Sequence, residues 1–254
     1  MSQDAEPPAQ RIERLERELR LARAELDDFT RAVSHDLRAP LRHLGAYTQI
    51  LREDLPEPQL AQALPHLDRI SEAARLMGQQ IDGLMRLAQC GQAPLQPAPV
   101  DVGALAQAVY TALRREPGPD TADGPGARPI VWQVAPDIPP LPADPALLRE
   151  ALTQLLANAL KFTRPRPQAL ISLQCQHDGG KCVLTLADNG VGFNPAYQAR
   201  LFQPFSRLHG PKAFEGLGLG LAITRKIIER HGGHIEASGV PDGGCRVSVR
   251  LPLA

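Results

Sequence analysis

Ile12, Leu15, Leu19, Ala22, Leu26, Phe29 and Val33 follow one another at alternating intervals of 3 and 4 residues, with charges at most positions between them. An apolar 3,4 repeat is the seam of a coiled coil, because it keeps one stripe facing a partner helix. Leu37, Leu41, Leu44 and Leu51 carry the pattern on with a shift in phase, until DLPEPQ at 54–59 breaks it. A second amphipathic stretch places Leu67, Ile70, Ala74, Met77, Ile81, Leu84 and Ala88 on one face and ends near Cys90. Two helices joined by a short proline-containing turn predict a hairpin. A lone hairpin must cover its apolar face, and the simplest cover is a second copy, giving a four-helix bundle in a homodimer.

After QAPLQPAP at 92–99, too proline-rich for helix or central strand, the pattern changes. The order becomes a helix VGALAQAVYTALRRE, a Pro/Gly loop, a strand IVWQV, a helix from Pro145 to Phe162, and strands ALISLQCQ and CVLTLAD around HDGGK. A glycine-rich region then leads into a helix LAITRKIIERHGG, a strand HIEASG, a turn PDGG and a strand CRVSVRLPL. This predicts an α+β domain whose antiparallel strands are covered by helices on one face. The expected organisation is a coiled-coil signalling helix over 1–32, a helical hairpin over 33–92, a linker over 93–99 and the α+β domain over 100–254.

Composition narrows the function. The 254 residues carry 28 Lys+Arg and 28 Asp+Glu, with no basic run to neutralise a nucleic-acid backbone, so nucleic acid is not an expected partner. No apolar run reaches the length of a membrane span and MSQDAEPPAQ lacks signal-peptide regions, so the expected location is cytoplasmic. The four cysteines form no CxxC pair and read as buried thiols.

Within the first helix, SHDLRAPL at 34–41 places a histidine beside an aspartate and then a proline. At about 100° per residue, His35 lies about 200° from Val33 and about 160° from Leu37, which points it to solvent. Pro40 removes a helix hydrogen bond at a cost of about 3 kcal/mol, a broken local rule that usually marks function. A neutral imidazole offers a nitrogen for nucleophilic attack, and an adjacent carboxylate can hold and accept the other proton.

Three further constellations lie in the α+β half. Gln154, Asn158 and Lys161 form one polar line on an otherwise apolar helix, and an amide oxygen with an ammonium suits magnesium bridged to nucleotide phosphates. Asp188-Asn189-Gly190-Val191-Gly192 ends a strand, where a carboxylate can accept from an exocyclic amine while glycines let backbone approach a planar ring. Gly216-Leu217-Gly218-Leu219-Gly220 runs into a helix whose free N–H groups attract phosphate. Between the two glycine stretches is a segment of lid length, with Phe202 and Phe205 as anchors and Arg207 and Lys212 as candidate phosphate contacts.

In this order the motifs resemble the transmitter region of bacterial sensor histidine kinases, from about Phe29 to Leu253. AVSHDLRAPLRHL is similar to the family's H-box, LTQLLANALKFT to its N-box, ADNGVGF to its G1 box, LFQPFSRLH to its F-box and EGLGLGLAITRKIIERHGG to its G2 box. The wording is nearest to transmitters that follow PAS or phytochrome sensor modules. The resemblance implies a GHKL/Bergerat-type α/β sandwich binding ATP and Mg²⁺. It further implies His35 as phospho-acceptor, Asp36 as its base, Asn158 as magnesium ligand and Asp188 as the adenine-reading carboxylate. Lys161 and glycines 216, 218 and 220 would face the phosphates, with Gly190 and Gly192 in the G1 box.

A homodimer, a response regulator and an upstream sensor module or sensor partner are the implied partners. Gln154 stands where the N-box usually has Asn, Leu217 where the G2 box often has Thr, and Ala39 where phosphatase-active members carry Thr or Asn. The rival reading is a dimeric scaffold or pseudokinase with a degenerate nucleotide site. A further rival, an ATPase of the gyrase and heat-shock group, leaves the histidine-bearing coiled coil unexplained.

Overall fold

The computed structural model describes residues 7–91, 94–115, 128–210 and 213–253 in two compact units, Met1–Ala88 and Gln89–Ala254. Lys212 and most of the Pro/Gly loop before IVWQV therefore lie outside the described residues.

The first unit is a pair of helices. Helix α1 spans Pro8–Asp54, with proline in its first turn, where a missing N–H costs nothing. Helix α2 spans Glu57–Gln89, beginning ten residues before the first apolar position of its predicted face and continuing through Pro65. Arg38 bonds Asp82 at 2.7 Å, the Ser71 hydroxyl bonds that of Thr48 at 3.2 Å, and Arg52 bonds Asp68 at 2.6 Å. These pairs fix the helices in antiparallel register. The core between them is thin: Leu67 and Ala74 are buried, whereas Leu44, Leu51, Ile70, Met77 and Leu84 remain about 40% exposed or more.

The second unit opens with β1 (Ala98–Val100), which pairs antiparallel with β3 (Leu141–Ala143). The end of the segment expected as linker is thus a short strand, and its Pro99 sits in a two-stranded ribbon, where prolines are tolerated. Between them come α3 (Val102–Arg115) and β2 (Ile130–Val134). Tyr110 of α3 stacks on Trp132 of β2 at 5.3 Å, and the indole N–H donates to Gln107. Helix α4 (Pro145–Phe162) starts at Asp144, whose carboxylate accepts from the N–H groups of Ala146 and Leu147, with proline next, the usual grammar of a helix start.

Strands β4 (Ala169–Asp178) and β5 (Lys181–Asp188) form the predicted hairpin, and α5 (Gly220–Arg230), β6 (His234–Gly239) and β7 (Cys245–Pro252) complete the chain. The main sheet has the order β2-β4-β5-β7-β6. All its pairs are antiparallel except β2 with β4. That parallel pair departs from the all-antiparallel expectation. The chain between the two strands crosses the sheet as α4 and so returns in the same direction. Leu173, Leu184, Leu186, Val247 and Val249 meet Leu148, Leu152, Leu155 and Ile228 of α4 and α5 to form the core. The opposite face carries the polar Thr185 and Ser248. Among the described residues, no helix is long and apolar enough to cross a membrane.

Candidate phosphoryl-transfer site

On the hairpin, His35 and Asp36 are both more than 80% exposed. The imidazole Nδ1 lies 3.3 Å from the Asp36 carboxylate. A carboxylate only accepts, so Nδ1 is the donor in this contact, and in the neutral imidazole Nε2 then keeps the lone pair. Helix α1 continues through Pro40, which has no N–H for the carbonyl of Asp36.

In the second unit, three segments converge on the C-terminal end of α4. Asn158 and Lys161 lie half-buried on this helix. The Lys161 ammonium donates to the Glu215 carbonyl at 3.2 Å and lies 4.6 Å from the centre of the Phe162 ring. Burial holds its pKa below the usual lysine range, opposed by the Glu215 carboxylate and assisted by the charges of Arg164 and Arg207. Arg128 donates to the Leu160 carbonyl and the Thr163 hydroxyl, so the end of the helix is capped by a cation.

Asp188 ends β5. Its Oδ1 accepts from the Gly190 N–H at 2.8 Å and the Cys245 N–H at 3.3 Å. Burial pushes this carboxyl up to about 6, against the lowering effect of those two bonds. Gly192 has φ +60°, and a Cβ there would collide with the Val240 carbonyl, so only glycine fits. A Cβ on Gly190 would meet the Phe162 carbonyl and one on Gly244 the Asp188 carbonyl.

The structure places the remaining residues as follows. Phe202, expected as a lid anchor, is buried, but Phe205, expected to anchor as well, is 44% exposed at φ +61°. Arg207 donates to the Phe214 carbonyl. Gly216 packs beside the Lys161 ammonium, Gly218 beside the Ser206 carbonyl, and Gly220 beside the Gln154 amide oxygen. Helix α5 has no side-chain cap, leaving its first N–H groups for another acceptor. Asn158, Lys161, Asp188 and the glycines thus belong to one neighbourhood, while His35 and Asp36 lie on the other unit.

Several organising residues escaped the sequence reading. Arg166 donates to the carbonyls of Asn189, Gly190 and Asp242 at 2.9, 3.0 and 2.7 Å, clamping the loop after Asp188 to the turn before β7. The Asn189 side chain ties that loop to β4 through Leu170 N–H and the Gln168 carbonyl. His209 donates from Nε2 to the Gly192 carbonyl at 2.9 Å and contacts Phe162 and Phe214, tying its segment to the loop after Asp188. Asp144 shares its N–H with His231 Nε2 and its carboxylate with the Gln96 N–H. Only the Asp-Pro start of α4 was visible as a local signal; the other roles arise from residues distant in sequence.

A hairpin that exposes a histidine–aspartate pair, followed by an α/β domain with a buried carboxylate, glycine loops and clustered cations, defines the class of two-component transmitter proteins. Residues 25–92 match the family described as His Kinase A (phospho-acceptor) domain, and residues 143–254 that described as Histidine kinase-, DNA gyrase B-, and HSP90-like ATPase. The chain therefore belongs to the histidine kinases as a transmitter region.

It is 32% identical over 235 residues to the methanogenesis regulatory histidine kinase FilI of Methanothrix harundinacea, covering 92% of this chain and 25% of that protein. It is 29% identical to the circadian input-output histidine kinase CikA of Synechococcus elongatus, covering 91% of this chain and 30% of that protein. The chain thus spans about a quarter to a third of these relatives. Among solved structures, full-length ShkA in complex with AMPPNP superimposes with a TM-score of 0.61 at 25% identity, over 89% of this chain and 46% of that one. Histidine kinase ThkA in complex with response regulator protein TrrA shares the fold, with a TM-score of 0.59 at 18% identity, over 99% of this chain and 68% of that one.

Proposed function

We propose that this chain is the catalytic transmitter of a two-component sensor: it takes the γ-phosphoryl group of ATP onto His35 and passes it to an aspartate of a response regulator. His35 itself carries this reading. An exposed imidazole whose Nδ1–H is held by Asp36 presents Nε2 as a nucleophile. The Nε2 lone pair forms the N–P bond while the bond from phosphorus to the bridging oxygen breaks. ADP leaves with that electron pair, and the Nδ1 proton goes to Asp36.

In the second unit Asp188 accepts from the adenine amine, and Lys161 faces the phosphates. Asn158 would hold Mg²⁺, which would supply charge neutralisation for the transferring group. ShkA was solved with AMPPNP and ThkA with a response regulator, which supports the nucleotide and the downstream partner. The exposed apolar residues of both hairpin helices support a homodimer, because two helices alone leave Ile70, Met77 and Leu84 in water. An upstream sensor domain, or a separate sensor protein, would drive the α1 coiled coil. The protein would act in the cytoplasm, where ATP and the regulator are found. Hairpin and catalytic roles divide as the residue ranges 33–92 and 100–254, preceded by a signalling helix over 1–32.

Incubation with γ-labelled ATP and Mg²⁺ tests this. Label on the parent that is lost in acid and stable in alkali, and absent from His35→Gln and Asn158→Ala, is the expected result. A parent that binds ATP yet takes no label, or a His35→Gln variant that does, would refute it.

A further inference from the structure

Beside Lys161 lies an ion pair to which the sequence motifs give no role. Arg164, two residues past the end of α4, pairs with the Glu215 carboxylate at 2.7 Å. The carbonyl of the same Glu215 accepts from Lys161 at 3.2 Å. Arg207 lies near enough for its charge to act on Lys161. Arg164 and Lys161 therefore both act on the Glu215 carboxylate. Arg164 is mostly covered, with 26% of its side chain exposed, whereas Glu215 is 65% exposed. The cation is fixed by its surroundings and the anion is at the surface, able to leave.

We propose that Arg164 is a phosphate-binding residue of the nucleotide site and that Glu215 is an internal stand-in for the phosphates, which ATP must displace. The proposal rests on the reading of this unit as the ATP-binding half of a histidine kinase. Its chemistry is that of anion exchange. The Arg164 guanidinium and the Lys161 ammonium beside the Glu215 carboxylate attract a more highly charged group, and Arg binds phosphate oxygens with the same fork that it offers a carboxylate.

The backbone links the two cations in this exchange. Glu215 engages both cations at once, one through its main chain and one through its side chain. It can do so because Gly216, at φ +128°, turns the chain tightly against the Lys161 ammonium. A triphosphate that takes Lys161 and Arg164 therefore frees Glu215 from both cations together, while Arg207, Phe162 and His209 still hold Phe214 beside it. Phosphate binding and release of Glu215 become one event.

The test is the affinity of the full chain for ATP and for adenosine, measured calorimetrically for the parent, Glu215→Gln, Arg164→Ala, Arg164→Lys and the Glu215→Gln/Arg164→Ala double variant. An ion pair at the surface holds its partners by up to about a factor of five, and Glu215 is the exposed member here, so Glu215→Gln should strengthen ATP binding by about that factor and leave adenosine unchanged. Arg164→Ala should weaken ATP binding about tenfold or more, again sparing adenosine, with partial recovery in Arg164→Lys. In the double variant the gain from Glu215→Gln should shrink.

Unchanged or weakened ATP binding in Glu215→Gln, or equal losses for ATP and adenosine in Arg164→Ala, would overturn the proposal while leaving ATP binding by the parent intact. A parent that binds neither ligand would overturn the nucleotide-binding reading and this one with it.

Discussion

Asp188→Asn separates the stability of this domain from its recognition of adenine. In the folded chain the carboxyl is moved by burial from an ordinary 3.8 to about 6. At about 1.4 kcal/mol per pH unit, holding it ionised at pH 8 costs about 3 kcal/mol. An asparagine keeps an oxygen for the Gly190 and Cys245 N–H groups and requires no buried charge. We expect the variant to be about 1–3 kcal/mol more stable than the parent at pH 8, a rise in melting temperature of about 2–9 °C for a domain of this size.

The sign follows from the direction of the shift. The folded state favours the protonated acid, so this group's stabilising contribution is full below about pH 3.8 and is lost as the pH rises through about 6. The advantage of the variant should therefore vanish near pH 4. Recognition should move the other way. The amide would present a donor to the adenine amine, itself a donor, and adenosine affinity should fall by about 100-fold or more. In the parent, adenosine should bind more tightly as the pH rises from 5 to 7 and the carboxylate forms; adenosine is used because it has no phosphate to titrate. Thermal melts between pH 4 and 8, with calorimetry at each pH, give both readouts. A variant that is less stable at pH 8, or whose advantage is the same at pH 4, would refute the burial argument. Unaltered adenosine affinity would refute the adenine role.

Other perturbations probe different parts of the frame. Arg166→Ala leaves the carbonyls of Asn189, Gly190 and Asp242 without their shared donor and should destabilise the second unit by about 2–3 kcal/mol in urea titration while weakening adenosine binding; no change in either would mean that the clamp carries no load. Gly192→Ala sets a Cβ against the Val240 carbonyl at a left-handed φ and should lose about 2–4 kcal/mol or fail to fold, whereas a stable, nucleotide-binding variant would contradict the packing. Pro40→Ala restores a donor for the Asp36 carbonyl and should stabilise the hairpin by up to about 3 kcal/mol while shifting the ratio of kinase to phosphatase output. Unchanged melting and unchanged activity would remove that role.

Much of the architecture was legible because it is local. Asp144 before Pro145, then an apolar helical pattern, marks α4 from both propensity and capping, and the 100° arithmetic around Val33 and Leu37 places His35 outside. What escaped depends on pairing at a distance. Strands β1 and β3 are three residues each and proline-bearing, so they have no pattern of their own. The parallel pairing of β2 follows from where α4 carries the chain. Phe205 looks in sequence like a second anchor, yet its backbone turns it outward. Asp188 could be noticed at the end of a strand, but its burial comes from the loop that Arg166 clamps, and an arginine between two prolines gives no hint of three carbonyls waiting for it.

Gly190, Gly192 and Gly244 build the floor beside Asp188 out of main chain, each closed against a carbonyl from another segment. For an inhibitor seated on that floor, drug resistance would have few routes. There is no side chain to trim, and enlarging any of the three glycines forces two segments apart before it touches the compound. Escape mutations would have to arise in the segment above, around His209 and Phe214, where side chains rather than backbone make the surface. A compound that gains its affinity from the floor alone would meet the same protein in successive generations, and would also meet the same main-chain shape in any relative that keeps these glycines.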